Sequence, residues 1–201
     1  MDFKKEFISL KVLSEEIGID DTEILSFRPN GKRVSLKIQE IIMNCTISAP
    51  AHYIISFKDI LLCDISFIDE VLINTIQFIK SNNLDIQIIL SDLCSDIRDN
   101  IYAAFLLRNK KEKIQGNTKF DVQVLEINNG IYSLIGDLES NLFETLELIK
   151  LNSPLTARDL SDILNVPING SSNRLKRLFD SRLILREMIT DEEGKYFKYF
   201  L

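Results

Sequence analysis

The strongest constraint on the fold is an alternation of apolar, β-rich runs with amphipathic helical runs between residues 52 and 113. The β-rich runs are "HYIISFKDILLCD" and "LDIQIIL", and the helical runs that follow them are "SFIDEVLINTIQFIKSNN" and "SDIRDNIYAAFLLRNKKEK". Ile68 and Ile76 fall on one side of the first predicted helix. Strands that alternate with helices predict an α/β unit whose sheet faces are covered.

Two turn signals lie on either side of this unit. "EILSFRPNGKRVSL" has two β-rich runs around Pro29-Asn30-Gly31, which predicts a hairpin, and "SLKIQEIIMNC" after it predicts a short helix. "FDVQVLEINNGIYSLIG" predicts a second hairpin through Asn129-Gly130, bridging to the last third of the chain.

The last third is predicted to hold three helices and a terminal hairpin. Leu142, Leu146 and Ile149 form one apolar stripe, and Thr156 is a plausible N-cap with Asp159 as its capping-box partner. A further helix is predicted over residues 170–181. Two β-rich runs then flank "TDEEG", which indicates a hairpin.

This order, and the stretch "LTARDLSDILNVPINGSSNRLKRLFDSRLILREMITDEEGKYFKYF", resemble the winged-helix regulators of the MarR and ArsR kind. The resemblance implies that helix 170–181 reads DNA. The nominated residues at its start are Asn169, Ser171, Ser172 and Asn173. The nominated cations, the first three of them for phosphate, are Arg174, Lys176, Arg177, Arg182 and Arg186.

The negative charge of the chain argues against a simple DNA-binding protein. The formal net charge of the 201 residues is −6, and the predicted wing tip reads Asp191-Glu192-Glu193. A carboxylate beside a phosphate is repelled. The alternative is a winged helix used for protein contact or dimerisation, in which the basic helix pairs with acids such as Asp159, Asp162 and Asp180.

A second resemblance lies in "IISFKDILLCDISFIDEVL", which is similar to the STAS fold of anti-sigma-factor antagonists. It looks closer still to a STAS-like family of unknown function with "D-F-x-x-V" followed by "S-F-x-D-E". The resemblance implies a partner-facing loop at Asp64 and Ser66, with Ser66 open to phosphorylation by a partner kinase. The alternative is Ser66 as a helix N-cap, with Asp69 and Glu70 completing the first turn.

The fold expected from both resemblances is an α/β STAS-like domain over residues 1–127, followed by an α+β winged helix-turn-helix over residues 128–201. No enzyme motif, cofactor or metal site is expected: the single histidine, His52, precedes an apolar strand and is expected to be structural. The three cysteines are expected to be buried free thiols in the cytoplasm. No membrane span or signal peptide is predicted.

Two functions follow. One is a DNA-binding transcriptional regulator, whose winged helix binds double-stranded DNA and whose STAS-like domain senses or binds a protein; a homodimer is then possible because winged helices usually read paired half-sites. The other is a protein-interaction adaptor that does not touch DNA and serves a partner-switching kinase or ATPase system.

Overall fold

The computed structural model describes residues 4–44, 50–117, 121–192 and 194–201. Its centre is a five-stranded sheet in the order β1-β3-β5-β6-β7. These strands are β1 (Lys4–Ser9), β3 (Ala51–Ser56), β5 (Ile86–Ser91), β6 (Val124–Asn128) and β7 (Ile131–Ile135). The first four run parallel and β7 is antiparallel to β6, which confirms the hairpin predicted at Asn129-Gly130.

Helices pack against one face of this sheet. They are α1 (Leu10–Glu16), α2 (Arg28–Asn44), α3 (Ile65–Ile68), α4 (Asn74–Ser81) and α5 (Ser95–Ile114), and a π-helical segment, Asp69–Ile73, joins α3 to α4. Tyr53 and Ile55 share one buried cluster with apolar residues of these helices. The long apolar runs are therefore strands and helices that bury each other, as the α/β pattern predicted.

The hairpin predicted at Pro29-Asn30-Gly31 is wrong, because these residues begin helix α2. Proline is well tolerated in the first turn of a helix, where its missing N–H has no acceptor to lose. Gly31 is buried beside the next helix, and a Cβ there would lie 2.7 Å from the carbonyl oxygen of Phe67. The residues flanking the turn signal form only one two-residue parallel pairing, β2 (Ile24–Leu25) with β4 (Leu62–Cys63).

The last third contains the predicted three helices and hairpin. They are α6 (Ser140–Asn152), α7 (Ala157–Leu164), α8 (Ile168–Asp180), β8 (Leu185–Asp191) and β9 (Gly194–Phe200). The capping box between Thr156 and Asp159 at the start of α7 is confirmed. The predicted stripe of Leu142, Leu146 and Ile149 is buried in a second cluster together with residues of α8.

The second cluster also reaches the sheet. Leu125 of β6 is completely buried within it, and Tyr132 and Leu134 of β7 pack against it. On the neighbouring strand, the amide of Gln87 donates a hydrogen bond to the carbonyl of Leu183. The boundary predicted between residues 127 and 128 therefore falls inside a hairpin whose two strands serve both cores.

His52 and the cysteines differ in environment. His52 lies in the interior strand β3 and is buried, and burial lowers the pKa of its imidazole to about 4. Cys63 is buried, but Cys94 is exposed, so the prediction of burial is wrong for Cys94. Cys45 lies outside the described residues.

No helix in the described parts of the chain combines the length and the apolar character that crossing a membrane requires.

Candidate functional site

The predicted DNA-reading helix is α8, and only part of its nominated N-terminal set faces outward. Asn169, Ser172 and Asn173 are exposed, whereas Ser171 is completely buried. Ser171 shares the inner side of the helix with Leu175 and Leu178. A buried hydroxyl cannot reach a base edge, so the assignment of Ser171 to the DNA interface is corrected.

The three cations nominated for phosphate are all held by carboxylates of the same chain. Arg174 contacts Glu144 at 3.0 Å, and Lys176 contacts Asp180 at 2.5 Å. Arg177 makes two hydrogen bonds to the carboxylate of Glu139, at 2.8 and 2.5 Å. The bond to Arg177 lowers the pKa of Glu139 below its ordinary value.

Two of these carboxylates, Glu139 and Glu144, lie at the start of α6, so Arg174 and Arg177 face α6. Of the acids expected as partners, only Asp180 pairs with this helix among the described residues. Asp159 instead caps α7. The helix therefore pairs much of its positive charge with carboxylates at the start of α6 and at its own end.

The two nominated arginines beyond the helix are also engaged internally. The Arg182 side chain is 10% exposed and lies 3.7 Å from the carboxylate of Asp85, at the junction with the sheet. Arg186 stacks over the rings of Phe179 and Phe197, at 3.9 and 4.2 Å from their centres. Stacking between two rings fixes a guanidinium, so neither arginine is presented to a ligand.

A groove of about 580 Å³ lies between the start of α8 and strand β9. Its walls carry the cations Arg158 and Lys195 and the aromatic side chains of Tyr196 and Phe197. Arg158 and Lys195 were not nominated from the sequence. Their isolated positions form no charge cluster that the sequence alone could reveal.

Asp64, just before α3, is the centre of the predicted partner loop. One carboxylate oxygen accepts the backbone N–H of Phe67 at 2.6 Å and the hydroxyl of Ser66 at 2.7 Å, and the other accepts the N–H of Phe27 at 2.9 Å. Burial acts to raise the pKa of Asp64, but these hydrogen bonds outweigh it and the pKa lies below its ordinary value. Asp64 is thus a fixed anion that joins two segments.

Asp64, and not Ser66, is the N-cap of α3. The predicted cap at Ser66 is therefore wrong, since Ser66 lies within the first turn of the helix. Asp69 and Glu70 do not complete a capping box; both bind Arg28, at 2.6 and 2.8 Å. Asp64 is the better cap because its two oxygens can hold the helix start and Phe27 together.

Large apolar side chains surround Asp64 on the outside of the protein. The group, named here the strand-end patch, consists of Ile24, Phe27, Leu61, Leu62 and Ile65, each at least 36% exposed. The segments that carry it are adjacent, because Ile24 pairs with Leu62 and the N–H of Leu61 donates to the carbonyl of Glu23. The patch is therefore carried by segments that lie next to one another.

Phe27 is the most unusual member of the patch. It is 68% exposed and its φ is 71°, in the left-handed region that a phenylalanine rarely adopts. Its N–H is held by Asp64, and its carbonyl accepts the N–H of Gly31. Phe27 was not nominated from the sequence. With a hairpin predicted at residues 29–31, Phe27 was read as part of a β-rich run and not as the residue that precedes a helix.

The chain was compared with protein-family models, with curated proteins and with solved structures, and none of them matches it.

Proposed function

We propose that this protein is a protein-interaction adaptor that binds a partner through the strand-end patch. The observation that carries the proposal is Phe27, a large aromatic residue held in a left-handed conformation and presented to solvent. Such a conformation costs about 1–3 kcal/mol and persists only where the surroundings impose it. Here the hydrogen bonds to Asp64 and Gly31 hold Phe27 in this conformation, although its side chain buries little surface.

The position of the patch supports the same proposal. Part of it lies in the connection that leads from β3 of the central sheet through β4 to α3, and in α/β proteins binding sites gather at the ends of sheet strands that feed helix N-termini. Contiguous exposed apolar surface on a folded protein marks interaction sites. In this proposal the N-terminal module is STAS-like, the C-terminal module is a winged helix, and modification of Ser66 would add charge beside Asp64 and weaken partner binding.

Replacing Phe27 by alanine is expected to reduce partner capture at least tenfold, because a central aromatic anchor typically carries more than about 1.4 kcal/mol of binding free energy. The measurement is a quantitative pull-down from the native host with the full chain as bait. Phe7→Ala is the matched control, since Phe7 is 72% exposed but lies on the edge strand β1.

Both variants should melt close to the wild-type temperature, because each side chain is mostly exposed. Loss of the same partners by Phe27→Ala and by Phe7→Ala would indicate a general effect of surface apolarity. Retention of all partners by Phe27→Ala at unchanged stability would refute the proposed function.

DNA binding by the winged helix is the second candidate, and the groove beside α8 favours it. Asn169 and Ser172 are exposed on its wall, and Arg158 and Lys195 carry positive charge on the same walls. In this version the regulator reads double-stranded DNA with the open side of α8. Arg174 and Arg177 would then hold the helix in place and not bind phosphate.

For this candidate, the full chain is titrated with AT-rich duplex DNA at several salt concentrations in a mobility-shift assay. Changing Lys195 to alanine should flatten the slope of log K against log salt by about 0.9, because one phosphate is no longer neutralised. Changing Arg174 and Arg177 to alanine should leave the slope unchanged. A shift that is absent even at low salt would exclude the DNA-binding candidate.

A further inference from the structure

The strand-end patch has an acidic border. The carboxylate of Asp21 accepts the N–H groups of Glu23 and Ile24, at 3.0 and 2.9 Å, and is therefore fixed beside the patch. The carbonyl of Glu23 accepts the N–H groups of Leu61 and Leu62, which places Glu23 against the opposite segment.

Two further acids extend this border. Asp20 precedes Asp21, and Asp59 lies two residues before Leu61 with a φ of 61°. The side chains of all four acids, Asp20, Asp21, Glu23 and Asp59, are exposed. These negative charges therefore face the solvent in the segments that border the patch.

Nearby cations do not balance these acids. Lys11 lies 3.2 Å from Glu23, Lys58 is exposed next to Asp59, and Arg33 donates to the carbonyl of Ile17, three residues before Asp20. Arg28 is shared between Asp69 and Glu70, so its charge is already more than matched. The surroundings of the patch consequently carry an excess of negative charge, in a chain with a net charge of −6.

We propose that the occupant of the strand-end patch is a basic, apolar segment of a partner protein, in which apolar side chains cover Phe27 and Leu61 and flanking lysine or arginine residues face the acids. This inference rests on the proposed function. Opposite charges around an apolar centre steer association and exclude partners of the wrong sign. Nucleic acid and acidic peptides are repelled by the same border.

The experiment uses the full chain and two fluorescent amphipathic peptides with identical leucine positions, one with lysine and the other with glutamate at the polar positions. The lysine peptide should bind at low salt, and the glutamate peptide should bind at least tenfold more weakly. Phe27→Ala should weaken binding of the lysine peptide at least tenfold.

The rim variant is Asp20→Asn with Asp59→Asn, because asparagine tolerates the left-handed conformation of Asp59. It should weaken binding of the lysine peptide by about threefold or more and reduce its salt dependence, since rim charges act chiefly through association. The control is Asp162→Asn with Glu192→Gln, which removes the same charge from exposed positions of the C-terminal module and should bind like wild type.

The outcomes separate the two proposals. If the rim variant binds like wild type, if the two peptides bind equally well, or if neither of them binds, the basic partner is wrong. The proposed function is judged separately by whether Phe27→Ala loses partners in the pull-down. If partner capture depends on Phe27 but not on the acidic border, the proposed function stands and the inference of a basic partner is wrong.

Discussion

Gly31→Ala is expected to destabilise the protein by about 2–3 kcal/mol, in spite of the higher helix propensity of alanine. The added Cβ would lie 2.7 Å from the carbonyl oxygen of Phe67 and 2.9 Å from the Cβ of Glu70. The first of these atoms is backbone, so α2 and α3 must separate. Thermal unfolding should show a fall in Tm of roughly 4–12 °C for a chain of this size.

Gly170→Ala is the control, since Gly170 lies in α8 and a Cβ there would meet nothing within 4 Å. This variant should gain about 0.5–1 kcal/mol from helix propensity. If Gly31→Ala and Gly170→Ala changed the stability equally, α2 would not lie as close to α3 at Gly31 as described.

Asp64→Ala is expected to cost about 2–3 kcal/mol of stability. The substitution removes the N-cap of α3 and leaves the N–H groups of Phe27 and Phe67 without their acceptor. Loss of a cap costs about 0.5–2 kcal/mol, and hydrogen bonds to a charged group contribute about 1.5–3 kcal/mol. Denaturant unfolding should give this result, with Ser66→Ala losing under about 1 kcal/mol as the milder control.

The effect of Asp64 should also depend on pH. Its folded-state pKa lies below the unfolded value of about 3.9, so its stabilisation is complete above that value and is lost as pH falls through the folded-state pKa. The stability gap between wild type and Asp64→Asn should therefore be constant near neutral pH and narrow below about pH 4. A gap that widens on acidification would contradict the assigned hydrogen bonds.

The strands and helices between residues 52 and 113 could be predicted because they carry strong apolar patterns. β3 and β5 read as apolar runs, and the helix predicted from "SFIDEVLINTIQFIKSNN" is present, although it begins at Ile65 and contains the π-helical segment. Strand β1 was missed, since "KKEFIS" is short and charged as an edge strand often is.

The candidate site was harder to predict, because the sequence shows where the arginines and lysines are in the chain but not which carboxylates they face in the fold. Arg174 and Arg177 were nominated for phosphate, but their partners Glu144 and Glu139 lie 30 and 38 residues earlier in the chain. Phe27 shows the same limit for the backbone. Its left-handed conformation follows from the distant Asp64, 37 residues later, and from no local pattern.

The double role of the β6–β7 hairpin affects how this chain could evolve by module exchange. Leu125 is buried in the C-terminal cluster while its strand is paired within the N-terminal sheet. A recombination event between residues 127 and 128 would bring in a foreign β7 and a foreign helical layer above Leu125. To keep Leu125 buried, a viable exchange would have to transfer the hairpin together with α6–α8, so the exchanged segment would begin before β6.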